Sequence, residues 1–245
     1  MIHVDDFGRS LKISKDILKK IKKGTVSRVS VMIGFVDKSM HLELKKTKIL
    51  FRLHLNLTEQ VEYFSKDFKS MTFLSLLFAN KRKKSLIKEE IDRQLKEFKV
   101  MYSMKKVRLD GHQHVHFIPW IYKYLCNNPV CNIQELRYPV EPFHIVKLRF
   151  LFNRQFLRNI VAMTVLKIFS MFNKRRTDYS FFGVLYTNLY DESVLEYQKK
   201  NFSNFKQKEI LLHIGRAEAN EKSLFSPSQF AYNSSKQRTI EANLV

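Results

Sequence analysis

Short apolar runs alternate with amphipathic, helix-length segments along the whole chain, and this alternation most limits what it can fold into. Ile2 to Val4 is a brief apolar run that stops abruptly at Asp5 and Asp6. A helix is expected from Ser14 to Lys23, with Ser14 as N-cap and Gly24 as the residue that ends it. Val26, Val29, Val31 and Ile33 form a β-branched run closed by Gly34. From Ile49 to Leu57, apolar Phe51, Leu53, Leu55 and Leu57 alternate with Arg52, His54 and Asn56. That period of two puts His54 and Asn56 on one face and the leucines on the other. Ile87, Ile91, Leu95 and Phe98 recur at helical steps and predict a helix from Ser85 to about Ser103. Val107 to Asp110, Glu135 to Tyr138, Phe181 to Val184 and Glu209 to Ile214 read as further strands. Helices are expected over Phe117 to Leu125 and Glu192 to Phe202.

Strands and helices joined by short connections predict a parallel α/β architecture. Asp5-Asp6, His54, Asp110 to His116, Arg137 and His213 all fall near the carboxyl ends of the expected strands. Chemistry gathers at that end of a β/α barrel, so a TIM-like barrel is the predicted fold. The 245 residues suit one such domain, spanning 1–245.

Adjacent carboxylates repel, so Asp5 and Asp6 imply either an exposed turn capping a helix or a cation held between them. His112, His114 and His116 alternate, and an extended backbone would turn all three to one face. Imidazole is the commonest ligand for borderline divalent metals; the competing reading is a surface histidine cluster. His54 and His213 taken singly read as structural histidines. Only in combination with the aspartates do they carry an argument.

In order along the chain, the motifs are Val4-Asp5-Asp6-Phe7-Gly8, Leu53-His54-Leu55-Asn56-Leu57-Thr58, Asp110-Gly111-His112-Gln113-His114-Val115-His116, Leu136-Arg137-Tyr138-Pro139 and Leu212-His213-Ile214-Gly215. Together they resemble the YdjC-like carbohydrate deacetylases, the group that includes the chitooligosaccharide and hopanoid-associated deacetylases. The resemblance implies a distorted β/α barrel and one divalent metal ion bound by Asp6, His54 and His112. It also implies Asp5 as catalytic base, His213 as general acid, and Arg137 orienting the base or binding substrate. Magnesium is commonly assigned in that family, while one Asp and two His suit zinc. The implied substrate is an N-acetylated sugar, soluble or lipid-linked. Four residues depart from the pattern: His3-Val4 stands in place of Asn-Ala, Arg52 in place of Gly, and Ile214 in place of Pro. Arg52 and Ile214 keep a second class open, a deacetylase-like sugar-binding module without turnover.

The net charge of +21 would attract anions such as nucleic acid or lipid head groups. The basic residues are spread along the chain, which favours solvated surface over a specific nucleic-acid site. Nucleic-acid binding would also leave the ordered Asp and His motifs unexplained. One stretch, about 146–176, mixes Phe, Leu, Ile and Val with Lys and Arg. It reads as a long basic and aromatic helix, whole or broken, packed on the barrel or lying on an anionic membrane. Cys126 and Cys131 form neither a zinc spacing nor a disulfide framework. With no signal-like segment before Asp5 and no apolar run of about 18 residues, a cytoplasmic protein is expected, peripheral at most to the inner face of the membrane. A homodimer is compatible with all of this.

Overall fold

In the computed structural model, which describes residues 1–34, 38–59, 67–174, 179–201 and 207–245, the first strand does not stop at the aspartates. β1 runs from Ile2 through Asp5 and Asp6 to Phe7. Its pairing with the next strand slips between Val4 and Phe7, and Asp6 takes a left-handed φ of 72° inside that irregularity. The expected short strand is therefore corrected: the carboxylates lie within it, because buried cations from distant parts of the chain neutralise them.

Six more strands follow among the described residues: β2 (Arg28–Val31), β3 (Leu50–Leu55), β4 (Val107–Gly111), β5 (Ile133–Leu136), β6 (Ser180–Phe182) and β7 (Lys208–Leu212). Every pairing is parallel, in the order β5-β4-β3-β2-β1-β7-β6. That is the order around a barrel whose ring is open between β5 and β6. The fold is thus a distorted TIM-like barrel. Side chains span the open seam: the Tyr179 hydroxyl donates to Glu135 (3.1 Å), and Glu141 accepts from the backbone N–H groups of Gly183 (2.9 Å) and Leu185.

The connections carry helices α1 (Leu11–Lys22), α2 (Lys38–Lys45), α3 (Phe73–Leu77), α4 (Lys81–Tyr102), α5 (Pro119–Asn127), α6 (Arg154–Ser170), α7 (Glu192–Lys200), α8 (Pro227–Asn233) and α9 (Lys236–Asn243). Helix α1 starts earlier than the sequence suggested. Ser10 is its N-cap, and the Ser14 hydroxyl instead accepts from the N–H of Gly8 (2.9 Å). Gly8 has a φ of +93°, and a Cβ there would sit 2.3 Å from the Met32 carbonyl oxygen, so the turn leaving β1 needs glycine. The basic stretch is the broken form of the expected helix, a 3-10 turn over Leu148–Phe152 and α6, separated by Asn153, whose side chain caps α6. Arg175, Arg176 and Phe202, included in the expected helices, lie outside the described residues.

Alternation along the strands sorts the interior. Val4, Val29, Val31, Leu53, Leu55, Leu109, Leu136 and Leu212 pack outward into the apolar layer beneath the helices. The opposite faces carry His3, Asp5, Ser30, Arg52, His54, Asp110 and Glu209, all almost fully buried. The barrel is therefore filled by an ionic lattice instead of stacked aliphatic layers. Such a filling folds only if each charge meets an opposite one.

Candidate active site

Arg137, just beyond β5, organises the upper part of that lattice. Its two terminal nitrogens donate to both oxygens of Asp5 (2.8 and 2.9 Å), and one also lies 2.9 Å from Asp110. Its Nε donates to Glu209 (2.9 Å). Burial would raise the Asp5 carboxyl, yet Arg137, His54 and His3 hold it well below the usual carboxylate range. Glu209 is held down in the same way by Arg52, His3 and Arg137. Asp5 is thus ionised at neutral pH and held in a fixed orientation.

Asp6 points to a different set. Its Oδ2 accepts from Arg238 of α9 (3.0 Å), whereas its Oδ1 is buried with no hydrogen-bond partner among the described residues. Two imidazole nitrogens approach that orphaned oxygen, His54 Nε2 and His112 Nδ1, each at 3.6 Å. Each imidazole is braced on its other nitrogen by a carboxylate. His54 Nδ1 meets Asp110 at 2.6 Å, and His112 Nε2 meets Glu59 at 2.8 Å. Asp6, His54 and His112 bring one ligand atom each within 4.8 Å of one another. Braced imidazoles beside a carboxylate are the donor arrangement of divalent metal sites. The orphaned Oδ1 is the atom such an ion would satisfy, so the residues present fit the group. Burial would lower the His112 imidazole, but Glu59 and Asp6 raise it to about 9, so an ion arriving at neutral pH must displace a proton.

An extended backbone would turn the three alternating histidines to one face, but the backbone here is not extended. His112–Phe117 is a tight 3-10 turn in which Gln113 and His114 take left-handed φ of 51° and 56°. His112 therefore faces Asp6. His116 turns under it to the Arg137 carbonyl (3.0 Å), and His114 packs edge-on to Phe181. Burial holds His116 down at about 4, so it is a neutral structural imidazole.

His213 follows β7 and lines the same cleft, with its ring edge-on to Tyr232. Its backbone N–H donates to Glu241 (2.6 Å), and Arg238 donates to the carbonyls of Ile214 (3.2 Å) and Gly215 (2.6 Å). Helix α9 thereby fixes the segment where a proline was expected. Burial holds the His213 ring at about 4, so it rests neutral.

The cleft above these groups has a volume of about 490 Å³. Asp5, His54, His112 and His213 form its floor, while Arg158 and Asn159 of α6 and Gln229 and Tyr232 of α8 form its walls. A larger cavity of about 830 Å³ between α1 and the C-terminal helices contains none of these floor residues.

Sequence reasoning passed over several members of the site. Glu59, Arg9, Glu209 and Arg238 carried no motif signal, and their roles arise from contacts across 50 or more positions. The departures at His3 and Arg52 carried a signal of a different kind. The two side chains meet each other (3.3 Å) and share Glu209, which Arg52 approaches at 2.7 Å and His3 at 3.5 Å. They belong to one buried unit beneath the site.

A family model described as YdjC-like protein matches residues 1–245. Carbohydrate deacetylases of Mus musculus and Danio rerio are each 27% identical, over 135 and 129 residues, or 49% and 47% of this chain. Those stretches are 44% and 41% of the two proteins, so the chain spans less than half the length of the curated relatives it matches. The crystal structure of a provisional cellobiose-phosphate cleavage protein from Enterococcus faecalis V583 superposes over 100% of this chain and 88% of its own, with a TM-score of 0.60 and 14% identity. That likeness supports the barrel fold.

Proposed function

The chain belongs to the YdjC-like family, and on that premise we propose that residues 1–245 form one deacetylase domain that hydrolyses the acetyl amide of an N-acetylated sugar. The observation that carries this reading is the pair of carboxylate-braced imidazoles converging on the orphaned Asp6 oxygen, with Asp5 beside them. Asp6, His54 and His112 would hold one divalent ion, which when bound supplies the Lewis acidity that activates a water and polarises the acetyl carbonyl.

The protein's own groups do the rest. Asp5 accepts the water's proton, and Arg137 keeps the resting carboxylate ionised and aimed. A carboxylate held this low binds the proton weakly and gives it up readily. His213, neutral at rest, relays that proton to the leaving sugar nitrogen. Arg137 is thus a positioning residue, while Asp5 and His213 act on the reacting atoms. Polar side chains in the cleft wall, Asn159 and Gln229 among them, suit the hydroxyls of a sugar ring. The curated relatives named carbohydrate deacetylase support the same substrate class. A carboxylate with two imidazoles suits zinc, and the family resemblance points to magnesium, so both belong in the assay.

The test is acetate release from a panel of N-acetylated mono- and disaccharides, with chelator and after re-addition of Zn²⁺ or Mg²⁺. Chelation is expected to abolish turnover and one of the two ions to restore it. Activity untouched by chelator would overturn the mechanism.

A further inference from the structure

Helix α6 is apolar on two faces. Phe156, Met163, Leu166 and Phe169 pack into the core, as one face of a surface helix should. Around the helix from them, Leu157, Val161 and Ile168 repeat at helical spacing and face solvent, Val161 at 64% exposure. The ridge continues at both ends. Leu148 and Phe152 of the preceding 3-10 turn are 75% and 89% exposed, and Met171 and Phe172 just beyond α6 are 79% and 69%. Helix α3 docks alongside by stacking Phe73 on Phe169, and it adds an outward Phe78. Apolar side chains continuous along one edge mark an interaction surface, unlike scattered single ones.

The charge around this ridge is segregated. From Pro142 to Thr177 the sequence contains no Asp or Glu, although the chain has 23 of them. The same stretch has Lys147, Arg149, Arg154, Arg158, Lys167, Lys174, Arg175 and Arg176. Arg154, Lys167 and Lys174 are exposed, and no carboxylate pairs with them among the described residues. A second copy of the chain is a poor occupant, because a two-fold contact would set these cations against themselves. Nucleic acid would use the cations and could stack on Phe152 or Phe172, but it would leave aliphatic Leu148, Leu157, Val161 and Ile168 in water. An anionic bilayer takes both, apolar side chains among the acyl ends and cations on the head groups.

We propose that the α6 ridge docks peripherally on the surface of an anionic lipid bilayer. No helix among the described residues is long and apolar enough to cross one. Gln155, Arg158 and Ala162 of the same helix line the catalytic cleft, so docking sets the cleft close to the membrane surface. The sugars reaching it are then those carried at the lipid surface. That last consequence rests on the hydrolase reading, while the docking itself does not.

The test is co-sedimentation of the full chain with vesicles of phosphatidylcholine, with and without phosphatidylglycerol. Binding to the anionic vesicles, weakened by salt, is expected. A Leu148→Ser/Phe152→Ser variant, both side chains being outside the core and the cleft, should lose at least about tenfold in partitioning with an unchanged circular dichroism spectrum. No binding, equal binding to neutral vesicles, or binding that the variant leaves intact would each overturn the proposal. So would a variant that abolishes self-association in sedimentation velocity and leaves lipid binding unaltered, because the ridge would then belong to a second copy. No turnover is read, so failure here is separate from failure of the deacetylase reading.

Discussion

Replacing Arg137 with methionine should destabilise the protein by about 3–5 kcal/mol at neutral pH, the range for stripping one partner from a buried ionic cluster. The guanidinium lies 2.8 to 2.9 Å from oxygens of Asp5, Asp110 and Glu209, and all four side chains are at most 3% exposed. Each such pair is worth on the order of 4 kcal/mol at an effective dielectric of about 20. Repulsion among the three carboxylates and desolvation of the guanidinium itself, several kcal/mol, offset most of that sum. The sign of the pH dependence follows from the directions of the shifts. In the native protein the three carboxyls sit below their ordinary values, so their stabilisation is present above the ordinary carboxylate range and disappears only as the pH falls through their depressed values. Without Arg137, burial is left to push them upward. The variant's penalty should therefore shrink as the pH falls from neutral toward the carboxylate range. Urea unfolding of both proteins across that interval reads the difference directly. A penalty below about 1 kcal/mol, the scale of an exposed pair, or one that does not vary with pH, would refute the lattice as a stabilising unit.

Asp5→Asn should abolish turnover while the protein still binds its ion, whereas His112→Ala should lose both; metal analysis after gel filtration separates them. Ion uptake near neutral pH should release about one proton, because His112 is protonated up to about 9, and calorimetry in buffers of different ionisation enthalpy counts it. Affinity for the ion should rise with pH and level off above that value. Glu241→Ala, which removes the acceptor for the His213 backbone, should lower kcat about tenfold with little change in KM, as expected for a group acting in the transition state.

The strands were legible because β-branched and alternating runs record a two-residue period that tertiary context rarely overrides. Asp5, Asp6, His54, His112, Arg137 and His213 could be picked out because the motifs that carry the family resemblance contain them, at or near the ends of such runs. The continuation of β1 through two carboxylates was not legible. It depends on Arg137 and Arg238, far along the chain, and nothing local announces them. The histidine run misled for a similar reason: alternation implies extension only if the backbone is extended, and left-handed Gln113 and His114 break that link. The positive charge also reads differently from inside. Arg9, Arg52, Arg137 and Arg238 are fully buried, so part of what looked like solvated surface is interior wiring. Helices α8 and α9 lack a strong apolar period, yet α9 supplies the groups that hold Asp6 and the His213 segment.

The left-handed residue in β1 has one more consequence. In a regular strand neighbouring side chains diverge to opposite faces, but here Asp5 and Asp6 both reach His54, at 3.9 and 3.6 Å. The proposed proton acceptor and the carboxylate proposed to anchor the ion are consecutive residues, and one trans peptide holds their Cα atoms about 3.8 Å apart. Any change in the curl of an open barrel would alter most distances across it. This distance acts as a covalent ruler, keeping the two halves of the chemistry in phase through any such motion.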